Sequence, residues 1–157
     1  MALKKMSTVN ETHIEGLTAI ASNFGPKETM DRLETEIRAK GMEVFARIDH
    51  AAGAAEVGLN LRPTELIIFG NARGGTPLMQ SAQTIGIDLP LKALVWEDAA
   101  GKTWISYNEP KWIVQRHGVT PAEAIVNKLA DLLRAISTTA AGHGDAQFPG
   151  KTPPRVA

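Results

Sequence analysis

The sequence predicts an α+β domain with a mixed, mainly antiparallel sheet and with helices packed on one face. Two observations favour this class. Through the first half of the chain, short β-type runs alternate with amphipathic helical stretches, as in a sheet covered by helices. The alternation then stops at two adjacent β-type runs, 92–97 and 103–107. The short glycine-containing connection between them predicts an antiparallel hairpin.

The elements of the first half follow from apolar spacing. Alternating apolar residues predict strands over 17–21 and 43–48. Apolar residues that recur every three or four positions predict an amphipathic helix over roughly 26–40, and Gly41 stands where a helix commonly ends. The small-residue segment 51–55 is compatible with a short helix that its neighbouring glycines weaken.

The second half is delimited by turn and cap residues. A short apolar run, 66–69, predicts a buried strand. Thr76 is predicted as the N-cap of the next helix, with Pro77 at its first position. A short helix is expected over 109–117, and a capping box over 120–123 opens the last helix. One apolar stripe runs along that helix: Ile125, Leu129, Leu132, Leu133 and Ile136.

Length and composition predict one domain with a polar extension at each end. We expect an N-terminal extension over 1–16, a single α+β domain over 17–137 and a disordered tail over 138–157, where Gly, Pro, Thr and Ala dominate. The chain has 17 basic and 17 acidic residues, so no overall charge favours nucleic acid or an anionic membrane. No apolar run has the length of a membrane span or a signal peptide, and we therefore expect a cytoplasmic protein without a nucleic-acid or membrane partner.

Five motifs are distributed along the chain. They are F-x-R-I-D-H-A (45–51), L-I-I-F-G-N-x-x-x-G-T-P-L-M (66–79), G-I-D-L-P-L-K-x-L-V-W-E-D (86–98), I-S-Y-N-x-P (105–110) and R-H-G-V (116–119). Together they resemble the family catalogued as domain of unknown function 302. The resemblance covers about residues 17–137 and implies a small TBP-like α+β fold that is often homodimeric, with no established activity. No catalytic residue can be transferred from it.

The glycine-rich corner between a strand and a helix is the strongest candidate for a ligand site. Backbone amides at a helix start, together with a nearby cation, can hold phosphate, sulfate or carboxylate. A plain turn with a well-capped helix explains the same residues, and the corner matches neither a Walker A loop nor a dinucleotide-binding motif. The candidate ligand residues here are Asn71, Arg73, Gly74, Gly75 and Thr76.

Other candidates lie outside this corner. His50 follows an aspartate at a strand end and is a candidate acid/base group, although ordinary hydrogen bonding explains it equally. Lys92 and Trp96 share one face of the hairpin and, with Tyr107, could form the floor of a ligand site, or the aromatics could simply pack across the strands. The histidines have no metal-ligand spacing, and no Ser/His/Asp pattern or cofactor motif is evident.

These observations leave three functions open. We rank first a homodimeric binding domain for a small anionic or aromatic ligand, held by the corner with Lys92 and Trp96. The alternative is an enzyme of unknown reaction, with His50 as acid/base, Lys92 stabilising an anion, and Asn71 or Tyr107 positioning the substrate. A third possibility is a structural module that dimerises through an exposed sheet face.

Overall fold

A computed structural model of the chain describes residues 13–120 and 123–144. Within them, eleven elements follow one another: β1 (Leu17–Ala21), α1 (Pro26–Ala39), β2 (Glu43–Asp49), α2 (His50–Glu56), β3 (Thr64–Gly70), α3 (Ala72–Ser81), a 3-10 helix (Gln83–Ile87), β4 (Leu91–Glu97), β5 (Thr103–Asn108), α4 (Pro110–Arg116) and α5 (Glu123–Ala140). The strands form one antiparallel sheet in the order β1-β5-β4-β3-β2. The predicted α+β class is confirmed, and the sheet is antiparallel at every pairing.

One face of the sheet is buried by helix α1. Its residues Met30, Leu33 and Ile37 have no accessible surface, as their spacing predicted. They belong to the main core together with Phe69 of β3 and Val95 of β4. Helix α5 packs against α1, so these two helices lie on the same side of the sheet.

The opposite face of the sheet carries partly exposed apolar side chains. We call this surface the open face. Residues that are opposite one another on neighbouring strands point to the same side of a sheet. The register therefore assigns residues from all five strands to the open face. Its large apolar members are Leu17, Ile48, Leu66, Ile68, Leu94, Trp96 and Trp104.

A second, smaller core lies beside the sheet, where α3, the 3-10 helix, α4 and α5 meet. Its buried members include Leu78, Ile85 and Val126. Two partly buried residues, Leu89 and Leu129, pack against both cores. They mark the junction at which the candidate site is found.

The predicted start of the tail at residue 138 falls inside the ordered domain. Helix α5 continues to Ala140, and Ala141 is fully buried. The imidazole of His143 lies 2.6 Å from the carbonyl oxygen of Ala21. A Cβ at Gly142 would lie 2.6 Å from the ring of Phe24, so this glycine allows a close approach. The boundary predicted from composition was therefore too early, because the small residues there pack closely. Residues 145–157 lie outside the described part.

Other local differences are small. Strand β3 is longer than the predicted 66–69, and helix α4 spans 110–116 where 109–117 was expected. The segment predicted as a weak helix forms α2, because the Asp49 side chain accepts a hydrogen bond from the amide of Ala52 at 2.9 Å. The predicted capping box includes residues 121 and 122, which lie outside the described residues.

We predict that Leu133→Ala lowers the free energy of unfolding by about 2–5 kcal/mol, because Leu133 is 1% exposed in the main core. Chemical denaturation would measure the loss. The matched control is Leu61→Ala, whose side chain is 49% exposed, and it should change stability by less than about 0.5 kcal/mol. Equal losses in the two variants would contradict the assignment of the α5 stripe to the core.

A cluster of charges ties the edge strand β2 to α1. The Arg47 guanidinium lies 3.0 Å from Asp31 and 2.9 Å from Glu34, and it also pairs with Glu65 on β3. Lys27 and Arg47 lower the pKa of Asp31, and Arg38 and Arg47 lower the pKa of Glu34. A carboxylate with a lowered folded-state pKa stabilises the fold above its unfolded-state pKa, and this contribution disappears as the pH falls through the folded-state value.

We therefore predict that Arg47→Met destabilises the protein at neutral pH and that the deficit shrinks as the pH falls from about 5 to about 3. The methionine keeps the apolar stem, so the change isolates the charge. Denaturation at several pH values would measure it. In the control, Arg62→Met, the lost partner is the uncharged carbonyl of Glu97, so the deficit should be independent of pH. If the loss in free energy of unfolding caused by Arg47→Met were the same at every pH, the cluster would make no contribution to the pH dependence of stability.

Candidate functional site

A cavity of about 320 Å³ opens at the junction of the two cores. The start of α3 and the segment Leu89–Leu91 form two of its walls, Phe45 borders it from β2, and Leu129 borders it from α5. Most of the lining is apolar. Asn71 and Thr76 contribute polar side chains. The structure therefore places four of the predicted corner residues, Asn71, Gly74, Gly75 and Thr76, around one cavity.

Helix α3 begins five residues earlier than the sequence predicted. Asn71 is the N-cap, and its side-chain carbonyl accepts a hydrogen bond from the Gly74 amide at 2.7 Å. Thr76 and Pro77 therefore lie inside the helix and do not start it. Asparagine is among the strongest N-cap residues, and this cap outweighs the low helix propensity of the two glycines that follow.

The helical start removes the basis for the predicted anion site. The Gly74 amide bonds the Asn71 side chain, and the Gly75 amide bonds the Asn71 carbonyl oxygen at 3.2 Å. These amides are thus occupied by the cap and by the first helical turn. Arg73 is exposed and is not among the residues that line the cavity. The corner residues thus border a mostly apolar cavity, and their assignment to a ligand stays a prediction.

Lys92 supports a wall of the cavity from outside. It belongs to the open face of β4, yet its ammonium group lies 3.4 Å from the carbonyl oxygen of Asp88 and 3.3 Å from that of Pro90. Both carbonyls flank Leu89, which lines the cavity. Lys92 therefore holds the backbone of the wall and is not one of the lining residues.

Trp96, Tyr107 and His50 do not line the cavity either. Trp96 stacks on Trp104 across the hairpin with ring centroids 6.2 Å apart, which is the ordinary packing alternative. Tyr107 is buried on the helix-covered side; burial, with a smaller effect of Glu109, raises its pKa to about 12. His50 is exposed at the start of α2. The residues assigned to the enzyme alternative are thus not brought together.

The carboxylate and imidazole that do meet were not paired by sequence reasoning. His117 Nε2 lies 2.5 Å from Asp88 Oδ2, and Arg116 also bonds this carboxylate, at 3.1 and 3.2 Å. Asp88 directly precedes the cavity wall. The motifs that carry Asp88 and His117 were both noted, but their separation of 29 residues hides the contact from any local pattern. Among the described residues, no group of three or more acidic or histidine side chains could hold a metal ion.

Residues 18–136 match the profile of DUF302, a domain of unknown function. The chain belongs to the DUF302 family. A solved structure agrees: a conserved DUF302 protein from Bacillus stearothermophilus superposes with a TM-score of 0.73 at 20% identity, covering 82% of this chain and 99% of that one. At this identity the likeness shows the fold, and the predicted family membership is confirmed.

Two curated relatives of this DUF302 chain are named as ion channels. Fluoride-specific ion channels FluC 1 from Brucella suis and from Brucella abortus are 52% identical over 104 residues, or 66% of this chain. The match spans 41% of the first relative and 38% of the second, so most of each lies outside it. The prediction of no membrane partner is contradicted by these names. In the range that the structure describes, no helix is long and apolar enough to cross a membrane. The cytoplasmic location stays a prediction.

We predict that Asn71→Ala destabilises the protein by about 0.5–2 kcal/mol, because it removes the side-chain acceptor of the Gly74 amide. Denaturation curves would measure the loss. Asn71→Asp keeps an acceptor at the helix start and should recover most of the stability. If alanine and aspartate are equivalent, α3 does not depend on this cap.

Proposed function

We propose that this DUF302 domain binds a small apolar or amphipathic organic molecule in the cavity at the start of α3. The observation that carries the proposal is the apolar cavity itself. Its volume of about 320 Å³ falls at the lower end of the range of ligand pockets, roughly 300–1,000 Å³. Such pockets are lined mainly by hydrophobic side chains and have a few polar groups that orient the ligand.

The lining suits a ligand with an apolar body and one polar group. Phe45, Leu89 and Leu129 come from β2, from the connection before β4 and from α5, and they supply apolar contact surface. Asn71 carries a donor on its amide nitrogen, and the Thr76 hydroxyl can donate or accept. Burial of the apolar body would supply most of the affinity, at about 25 cal/mol per Å² removed from water.

A bare inorganic anion suits this cavity poorly. Moving a small ion such as fluoride out of water costs a large solvation energy unless several donors replace the lost water. Asn71 and Thr76 are few donors for that task, and the nearby amides of Gly74 and Gly75 are already bonded. We therefore propose that the function in the relatives' name resides in the larger part of those proteins, outside the matched segment.

We predict that the amphipathic dye 8-anilinonaphthalene-1-sulfonate binds the native chain and raises its melting temperature. Binding to the folded state stabilises it, whereas binding only to unfolded chain would lower the melting temperature. Gly75→Leu should abolish dye binding, because a Cβ at Gly75 already lies 3.7 Å from Leu89 and a longer side chain enters the cavity. Calorimetry and dye fluorescence would measure both effects.

The matched control is Gly53→Leu, the same substitution in helix α2, where a Cβ meets no atom within 4 Å. This variant should bind the dye like the wild type. Sodium fluoride should change the melting temperatures of the wild type and of Gly75→Leu by the same amount, because salt exclusion acts on the whole protein surface. Equal dye binding by the two leucine variants would refute the cavity as the site, and a fluoride-dependent rise confined to the wild type would favour an anion function.

We also propose that the domain forms a homodimer through the open face, as the family resemblance implied. The large side chains named above for this face are apolar, and the ammonium group of Lys92, which also belongs to it, bonds the cavity wall. The tryptophan donors are satisfied within the chain: Trp96 Nε1 bonds Ser106 and Trp104 Nε1 bonds Asp98, each at 2.9 Å. The face therefore presents ring surface without an unpaired indole donor. Depletion of charge and enrichment in aromatic residues are typical of an interface core.

Leu94 lies on the central strand of that face, and we predict that Leu94→Glu converts the dimer to a monomer. Two copies related by a twofold axis would bury this charge without a partner. Sedimentation equilibrium would measure the mass. The control is Ile87→Glu, which places the same charge at a position that is 74% exposed and outside the open face, and it should remain dimeric. A monomeric wild type would exclude the dimer.

A further inference from the structure

A hydroxyl, an imidazole and a carboxylate are aligned beside the cavity wall. Thr84 Oγ1 lies 3.0 Å from His117 Nδ1, and His117 Nε2 lies 2.5 Å from Asp88 Oδ2. Thr84 belongs to the 3-10 helix, Asp88 directly follows it, and His117 directly follows α4. A nucleophile bonded to a base that is oriented by a third group is the arrangement that activates hydroxyl nucleophiles in enzymes.

The hydrogen-bond partners determine which ring nitrogen of His117 carries the proton when the imidazole is neutral. A carboxylate can only accept, so His117 Nε2 carries the proton that is donated to Asp88. Nδ1 of the neutral ring is then an acceptor, and the Thr84 hydroxyl donates to it. This is the tautomer in which His117 can remove the Thr84 proton. Asp88 would stabilise the imidazolium that results.

Burial separates the base from the nucleophile. The side chains of His117 and Asp88 are 9% and 12% exposed, whereas Thr84 is an exposed residue. The catalytic base would thus be shielded from water while the hydroxyl that it activates remains accessible. Substrate could reach Thr84 without entering the cavity, because none of these three residues lines it.

Two further residues complete the surroundings of the cluster. Arg116 bonds Asp88 and keeps a half-exposed guanidinium, with its side chain 52% exposed, which brings positive charge to the cluster. Ile87 is 74% exposed and lies three residues after Thr84. Residues three apart on a 3-10 helix lie above one another, so Ile87 offers apolar surface on the Thr84 side.

We propose that Thr84 is an acyl-accepting nucleophile that reacts with small carboxylic esters whose acyl chain rests on Ile87. Thr84 Oγ1 forms a bond to the ester carbonyl carbon while His117 Nδ1 takes its proton. The tetrahedral intermediate then breaks the bond to the leaving alcohol, which receives that proton from His117 Nδ1. Water then attacks the carbonyl carbon of the acyl-threonine while His117 Nδ1 takes its proton. The bond from that carbon to Thr84 Oγ1 breaks, Thr84 Oγ1 takes the proton back from His117, and the carboxylic acid leaves.

The test uses diisopropyl fluorophosphate, which traps activated hydroxyls: the Thr84 oxygen bonds phosphorus, fluoride leaves, and His117 takes the proton. We expect one adduct, on the peptide that contains Thr84, measured by mass spectrometry of the intact full-length chain and of its digest. Thr84→Ala should remove the adduct, and Thr84→Ser should restore it.

Loss of the base in His117→Gln should slow labelling by about 100-fold or more. Asp88→Asn should also slow it, because an amide can donate to Nε2 and shift the proton to Nδ1.

A matched control separates activation from simple exposure. Thr35 is also an exposed threonine, but its hydroxyl donates to the Asp31 carbonyl, so Thr35→Ala should be labelled like the wild type. Melting curves would confirm that Thr84→Ala is folded. Absence of any adduct on the folded wild type would overturn the proposal. Unchanged labelling in Thr84→Ala would also overturn it. So would labelling of Thr84 at the wild-type rate in a folded His117→Gln variant, because the cluster would then only connect α4 to the 3-10 helix.

Discussion

The register of the antiparallel sheet is the constraint on which the rest of the structure depends. Ile67 on β3 is opposite Ala93 on β4, which is opposite Tyr107 on β5, and this row faces the helices. A shift of one residue would place the open-face side chains under α1 and expose the core. With this register, β3 ends at Gly70 directly before the Asn71 cap, so the cavity lies where the sheet passes into α3.

Elements with a strong period were predictable from sequence because their pattern reports burial directly. Helix α1 appears almost where the spacing placed it. Strand β1 also has its predicted bounds, but its alternating residues Leu17, Ala19 and Ala21 lie on the open face, where Ala19 is exposed. The start of α3 was not predictable from the sequence, because Asn71 and Thr76 are both good caps and the intervening glycines resemble a loop. The choice between them depends on Asn71 bonding the Gly74 amide, a contact that local propensity does not encode.

The candidate sites were predictable only where they are contiguous in sequence. The corner residues were identified together, but Phe45 and Leu129 reach the cavity from elements that are distant along the chain. Asp88 and His117 likewise meet through the packing of α4 on the 3-10 helix, as two motifs without a shared local signal. Lys92 was predicted to bind a ligand, but its ammonium group bonds backbone carbonyls of the cavity wall. The sequence shows the charge of a residue but not its partner.

Gly75 provides a physical argument that the cavity is more than a packing defect. Its φ is outside the left-handed region, so the backbone does not require glycine. A Cβ there would make ordinary contacts, at 3.7 Å with Leu89 and 3.8 Å with Met79, so packing does not exclude alanine. Alanine would favour the helix by about 1 kcal/mol. Gly74 differs, because its Cβ would come within 3.3 Å of the capping oxygen of Asn71. The stability forgone at Gly75 is therefore best explained by the open volume that a side chain would reduce.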